Sequence, residues 1–525
     1  MTTAAEESTE DPTDDASAST PDAATLVAPH REAGGPGAGQ LRFFVTCARG
    51  TEGALRREIA ALRIAGARGD AGGVWFEGPM EMGMRVCLHA RVAMRVLVEL
   101  GRWSAPDAAA LYAGARGLEW RAWLDAQRTI AVFADVSDTP ELTHSGFAAL
   151  KVKDGIVDAL RDGLGARPDV NARDPDVSIR LHLHAGEAKV FLDLAGEPLH
   201  RRGYRVAMTD APLKESLAAA ILTLGRVDPA LPFWDPMAGS GTLPIEHALI
   251  ARQIAPGLRR TFGFQRWPGY AGTTWERDFR RLVDEARGRI LPAAPAPILC
   301  ADRFGPALEA ARRNAAAAGV ADDLVFEQAD VREARPRSSG AGDLVLNPPY
   351  GERMMPDAAA GRLFAPPRPQ GGASGSGRAR FSTSTSTSSA GAAGLQPPGR
   401  LRVGFADATE EEREAEIQRL KLVGLYRGMA EAFRRFAGWG IVVLSGSASW
   451  AEPVPWRPVI THKLFNGPLE VRLLRYEMPA DGSAPASRSP PGQPPRGPAS
   501  RPGPGGPPGQ RPGGRPGQRS GGRRQ

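Results

Sequence analysis

Cysteine is scarce in this 525-residue chain: Cys47, Cys87 and Cys300 stand far apart and share no paired spacing. Neither a disulfide framework nor a zinc site is supported, no metal is expected, and a reducing cytoplasm is the natural compartment. No apolar run reaches the length that spans a bilayer. Residues 1–40 lack the basic start and apolar centre of a signal peptide. They carry eight acidic residues against one Arg and read as a disordered acidic head.

Two further stretches lack the apolar residues that a core needs. Residues 481–525 are almost entirely Gly, Pro, Arg, Ser and Gln, with eight Arg and one Asp. Roughly 366–400 hold Phe381-Ser-Thr-Ser-Thr-Ser-Thr-Ser-Ser389 among Gly, Ala and Pro. Both are expected to be disordered, which leaves a folded body of about 41–357 plus 415–478. The formal charge of +7 divides into about −7 for the head, +7 for the tail and +7 for the body. A modestly basic body with a basic tail favours a polyanionic partner.

Within the body, 41–48 reads as a strand, Thr51–Leu62 as a helix and Gly73–Glu77 as a strand. Met84–Leu100 is apolar at helical spacing. A second α+β pattern fills 82–195, with strands at Thr129–Phe133, Val177–Leu183 and Lys189–Leu194 and a helix over Lys153–Leu164. Ile179, Leu181 and Leu183 alternate with Arg180, His182 and His184, which predicts a sheet with one wet, basic face.

From residue 212 strands and helices alternate, the pattern of an α/β domain with a parallel sheet. Strands end at Asp235, Asp302, Asp330 and just before Asn347. Near the carboxyl end, Asn466-Gly467 separates two strand-like runs and signals a hairpin. The parallel sheet is therefore expected to close with an antiparallel pair.

The chemistry concentrates in Asp235-Pro-Met-Ala-Gly-Ser-Gly-Thr242 and Asn347-Pro348-Pro349-Tyr350. The first is a strand-to-helix turn in which Gly239 and Gly241 let backbone approach a ligand, with Asp235 free to bond a polar or cationic group. Asp302 is placed to accept ribose hydroxyls, and Asp330 to accept from an adenine amino group. An exocyclic amino nitrogen is a poor nucleophile because its lone pair is conjugated into the base. The Asn347 side-chain oxygen and the Pro348 carbonyl can each accept one of its N–H bonds, favouring a pyramidal nitrogen whose lone pair faces a methyl donor. Tyr350 offers a ring for a flipped base.

These motifs make the chain resemble the bacterial large-subunit ribosomal RNA guanine-N2 methyltransferases that carry a THUMP domain. The likeness runs through Ala48-Arg-Gly-Thr-Glu52, Ala149–Asp158, Leu199-His-Arg-Arg-Gly-Tyr-Arg205, Ala211–Glu215, Asp235–Thr242, Asn347–Met354 and Asn466–Leu469. The resemblance implies a seven-stranded, Rossmann-like S-adenosylmethionine-dependent domain over 205–478, with a low-complexity insert at 358–414. A ferredoxin-like segment (41–81) and a THUMP RNA-binding domain (82–195) precede it. It implies cofactor contacts at Asp235, Pro236, Ala238, Gly239, Gly241, Thr242, Asp302, Asp330 and Asn347, and catalytic roles for Asn347, Pro348 and Tyr350. RNA contacts are expected at Arg201, Arg202, Lys151 and Lys153, the lysines just before a helix start at Asp154 where phosphates can bind. The insert is not typical of the family. The second methyltransferase domain fused downstream in some relatives is not seen in the sequence, so a single-methyltransferase form is expected. The substrate implied is 23S ribosomal RNA, naked or in a precursor particle. A transfer-RNA guanine and a noncatalytic RNA-binding assembly role remain as alternatives.

Overall fold

The computed structural model describes residues 39–208, 212–338, 340–350, 409–483 and 485–487. The acidic head, almost all of the 358–414 insert and nearly the whole basic tail, expected to be disordered, lie outside the described residues.

The amino-terminal elements are β1 (Leu41–Thr46), α1 (Glu52–Ala61), β2 (Arg68–Asp70), β3 (Gly73–Gly78), α2 (Met80–His89), β4 (Arg95–Ser104), α3 (Ala108–Arg116), β5 (Ile130–Ser137), α4 (Ser145–Leu164), β6 (Val177–His184) and β7 (Glu187–Asp193). The strands form one sheet in the order β2-β3-β1-β4-β7-β6-β5, antiparallel except between β5 and β6. β4 pairs with β1 on one side and β7 on the other, so it joins two α+β modules edge to edge. The alternation in β6 holds: Ile179, Leu181 and Leu183 are buried while His182 and His184 are exposed.

Two expectations fail here. Met84–Leu100 is not one helix but the end of α2 followed by β4. Val96, Leu97 and Val98 are all buried, so the strand shows no period of two to set against a helical reading. A domain boundary at residue 82 would also cut through α2. The helix expected over Lys153–Leu164 begins earlier, at Ser145. Nothing between Ser145 and Lys153 interrupts it, and Gly165 at φ 69° closes it in the left-handed conformation that glycine tolerates.

The carboxyl-terminal elements are α5 (Glu215–Leu224), β8 (Phe233–Asp235), α6 (Thr242–Ala251), α7 (Thr274–Gly288), β9 (Ile298–Asp302), α8 (Gly305–Ala318), β10 (Leu324–Gln328), β11 (Asp343–Leu346), α9 (Glu410–Phe433), β12 (Gly440–Ser445), β13 (Ile460–Asn466) and β14 (Leu469–Glu477). Their sheet runs β10-β9-β8-β11-β12-β14-β13, parallel throughout except for β14. Every residue of β8, β9, β11 and β12 is buried, as expected of central strands covered on both faces. The Asn-Gly hairpin forms between β13 and β14 as expected.

Buried polar groups tie the two halves together. Arg91 donates to the carbonyls of Leu249 (3.2 Å) and Ile254 (2.7 Å). Arg202 donates to the carbonyls of Leu199 and Arg91 and faces Glu246 at 3.5 Å. Arg260 reaches the carbonyls of Ala195, Glu197, Pro198 and Arg201. Each guanidinium satisfies several chain carbonyls where regular structure ends.

Candidate methyl-transfer site

The sheet order puts β8 between β9 and β11, so the ends of these three strands bring Asp235, Asp302 and Asn347 to one edge. Asp235 is 1% exposed and accepts from the Met237 N–H at 3.0 Å. Asp302 accepts from the N–H groups of Gly239 (2.9 Å) and Phe304 (3.0 Å). Burial raises both carboxyl pKa values, Asp235 well above the ordinary range, and the Asp302 charge adds to the rise at Asp235. Two desolvated carboxyls converging on a glycine turn suit a ligand that brings positive charge and hydroxyl donors.

The turn itself is built for close approach. Gly239 (φ 53°) and Gly241 (φ 83°) both occupy the left-handed region. Their roles differ from the expectation that both serve a ligand, because a Cβ on Gly241 would lie 2.9 Å from the Cβ of Ala311 on α8. Gly241 thus permits α6 and α8 to pack. Thr242 is likewise engaged within the protein, its hydroxyl accepting from Arg205 at 3.0 Å. Pro236 and Ala238 are buried, and Ala238 donates to the Ala301 carbonyl at 2.9 Å.

Asp330 does not end a strand; β10 stops at Gln328. Asp330 instead caps a short turn through the Arg332 N–H (2.9 Å) and is gripped by the Arg332 guanidinium at 2.9 and 2.7 Å. That hydrogen-bonded pair lowers its pKa and keeps it ionised.

Asn347 follows β11 directly. Its Oδ1 is buried and, among the described residues, has no hydrogen-bond partner. An acceptor stripped of water without a donor is costly, unless a ligand supplies one. The loop that carries it is pinned at two places: the Tyr426 hydroxyl on α9 donates to the Pro349 carbonyl (2.7 Å), and Asn466 Nδ2 donates to the Tyr350 hydroxyl (2.8 Å). Tyr350 is 2% exposed, so it is a packing residue here and not the open stacking surface expected from the sequence. Its ring lies against Gly446, where no Cβ would fit.

Four residues that the sequence did not single out hold this edge together. Arg205 pairs with Glu215 (2.8 Å) and donates to the Ser240 (3.2 Å) and Thr242 hydroxyls. Asn314 on α8 donates to the Ser240 carbonyl at 3.0 Å and accepts from the N–H groups of Val206 and Ala207. Tyr426 and Asn466 are the other two. Arg205 and Asn466 lie in the segments that carried the family resemblance; Asn314 and Tyr426 sit in helices with nothing local to mark them.

The RNA contacts expected from the sequence are not brought together. Lys151 and Lys153 lie inside α4, past its first turn, and not at an N-terminus. Lys153 pairs with Asp154 at 2.9 Å and Lys151 lies 5.5 Å from the Phe147 ring centre. Arg202 is 3% exposed and belongs to the domain joint, where its guanidinium donates to backbone carbonyls and faces Glu246. Arg201 is exposed and pairs with Glu197 at 3.0 Å.

The two sheets and this edge define a protein with ferredoxin-like and THUMP domains ahead of an RMKL-like methyltransferase domain. Residues 42–97 match the RlmL ferredoxin-like domain, 105–193 the THUMP domain and 202–369 the RMKL-like methyltransferase domain. The chain is similar to the ribosomal RNA large subunit methyltransferase K/L of Magnetococcus marinus, 40% identical over 334 residues, 62% of this chain and 46% of that protein. It is also similar to the protein of the same name from Syntrophotalea carbinolica, 34% identical over 452 residues, 83% of this chain and 54% of that one. The chain thus spans about half the length of these relatives. Among solved structures it resembles SMU.472, a methyltransferase complexed with SAH (TM-score 0.66, 25% identity, 84% of this chain, 98% of that one). A Listeria monocytogenes protein described as an N6-adenine-specific DNA methylase is comparable (TM-score 0.65, 25% identity, 84% and 97%).

Proposed function

We propose that this chain methylates the exocyclic N2 amino group of a guanine in 23S ribosomal RNA, in the cytoplasm. The observation that carries the chemistry is the buried Oδ1 of Asn347, unpartnered among the described residues, at the edge where Asp235 and Asp302 converge. The THUMP match and the similarity to large-subunit ribosomal RNA methyltransferases support RNA as the substrate.

S-adenosylmethionine supplies an electrophilic methyl group and leaves as its thioether. Asp235 and Asp302 would hold the cationic and hydroxyl-bearing parts of that cofactor against the glycine turn, and Asp302 fixes the Gly239 amide. Asn347 Oδ1 accepts one N–H of the target amine and the Pro348 carbonyl accepts the other. This turns the nitrogen lone pair out of conjugation and toward the methyl carbon. On an amine so held, the cofactor's C–S bond would break as the new N–C bond formed, and the amine's extra proton would leave to solvent. Orientation does the work, so no strong base is required.

The test is methyl transfer from labelled S-adenosylmethionine to 23S ribosomal RNA, followed by nucleoside mass spectrometry. N2-methylguanosine is the expected product. Label on adenine, or in transfer RNA alone, overturns the reading. Asn347→Ala should lower turnover roughly 10²–10³-fold while cofactor affinity holds. Asp302→Ala should instead weaken cofactor binding, by about 10–100-fold for a lost charge-assisted bond. Calorimetry and single-turnover rates separate the two; an Asn347→Ala enzyme of normal rate sinks the mechanism.

A further inference from the structure

A cluster of uncompensated arginines lies on and just after α1, in the ferredoxin-like domain. Arg56, Arg57 and Arg63 line a shallow cleft with Ala60, Gly66 and Ala67, and no acidic residue lines it. All three arginines are exposed, and within the described residues none forms an ion pair. Other exposed arginines are engaged in pairs, as Arg116 is with Asp162, Arg201 with Glu197 and Arg280 with Glu276. Arg56 and Ala60 share a face of α1 by their spacing, and the turn that follows sets Arg63 beside them in the cleft.

Arg63 is unusual in a second way. It sits just past the end of α1 with φ 62°, the left-handed conformation that glycine commonly supplies at this position. A long cation held where glycine would be unstrained costs free energy that its packing in the cleft does not obviously return.

The cleft is connected to the methyl-accepting edge. Gly50, just before α1, packs so closely on the Lys463 carbonyl of β13 that no Cβ would fit. Exposed Arg49 lies over the Phe465 ring at 4.9 Å. Arg57 is near enough to His462 for its charge to help lower the imidazole pKa, after burial. The next residue along β13 from Phe465 is Asn466, which holds Tyr350. At 1.5 Å per residue, Arg57 lies about 10 Å along the chain from Gly50.

We propose that Arg49, Arg56, Arg57 and Arg63 form a track for the RNA phosphodiester backbone leading away from the target nucleotide, an inference that rests on the RNA substrate argued above. Guanidinium forks match phosphate oxygens in pairs, and unpaired arginines offer them without first breaking an internal ion pair. Such contacts position the strand without reading its sequence.

The experiment measures binding of a 23S ribosomal RNA fragment by the full chain at several salt concentrations. R56A/R57A/R63A should flatten the log–log salt slope by roughly 2 if three phosphates are lost from a single strand, and weaken binding by about tenfold or more near 0.15 M salt. Affinity for S-adenosylmethionine should not change. The matching triple lysine variant should keep most of the slope. Arg63→Gly should weaken RNA binding while the melting temperature stays or rises, an outcome that a merely structural role for Arg63 forbids. A triple alanine variant with wild-type slope and affinity overturns the track. So does a loss of RNA binding matched by a loss of cofactor binding and melting temperature. The two readings fail separately: binding without methylation sinks the activity, whereas methylation with an unchanged slope sinks the track alone.

Discussion

The Tyr350 hydroxyl and the Asn466 amide are both buried and bond each other at 2.8 Å, one at the end of the Asn347 loop and the other at the hairpin. This bond fixes the residue three positions after Asn347 to a strand on the far side of β12 and β14. Asn466→Ala removes this bond, and a buried intramolecular hydrogen bond is worth about 0.5–1.5 kcal/mol net. The variant should therefore unfold at lower denaturant and turn over more slowly, with cofactor affinity retained because Asp235 and Asp302 are untouched. Tyr350→Phe combined with Asn466→Ala should cost less than the two single changes added together, since one bond is lost in all three. Additive losses would mean that the bond does not hold the loop.

At the scale of elements, α4 changes what its lysines can do. Inside the helix, Lys151 and Lys153 cannot share a phosphate with the positive helix start, whose charge fades within the first turn. Lys153 must also give up Asp154 to meet a phosphate. Lys151→Ala with Lys153→Ala is accordingly expected to weaken RNA binding less than the triple change on α1, and to flatten the salt slope by no more than about 1.4 for two contacts. A larger effect from α4 would return the main RNA contact to the THUMP domain. β13 and β14 show the opposite case. The Asn-Gly turn that marks them in sequence also delivers Asn466 to the site, so one local signal sets both an element and a contact.

The whole molecule is held by buried polar groups whose titration should be visible. His247 on α6 is 2% exposed and stacks on Phe233 of β8, with ring centres 4.1 Å apart. Burial pushes its pKa from 6.5 down to about 3. As the pH falls below 6.5 the unfolded chain binds this proton before the folded one does. The stability present above pH 6.5 is therefore lost progressively toward pH 3, by up to about 1.4 kcal/mol per pH unit for this residue. Buried carboxyls with raised pKa values, such as Asp235 and Asp302, act in the opposite direction, so the wild-type curve is a balance. Replacing His247 with Phe, which preserves the stacking, should remove one proton from the difference between states. Denaturant melts of the two proteins between pH 4 and 6.5 that run parallel would show that His247 is not buried neutral.

The sequence by itself determined the parallel sheet, its antiparallel close and the strand ends at Asp235, Asp302 and Asn347, because fully buried strands, glycine turns and an Asn-Gly hairpin leave strong local marks. It also carried the alternation of β6. Only the tertiary structure decided what those side chains face. Gly241 meets Ala311, Asp330 is held by Arg332, Tyr350 is sealed against Gly446, and Arg202 locks two domains together. β4 hid its strand character because it is buried on both faces, and α7 escaped notice although Trp275, Phe279, Leu282 and Ala286 form its buried stripe. Asn314 and Tyr426 act on loops 107 and 77 residues away, a partnership that no window of sequence contains. Local periodicity and turn chemistry are written residue by residue, whereas the partner of a buried polar group is set by which distant segments pack around it.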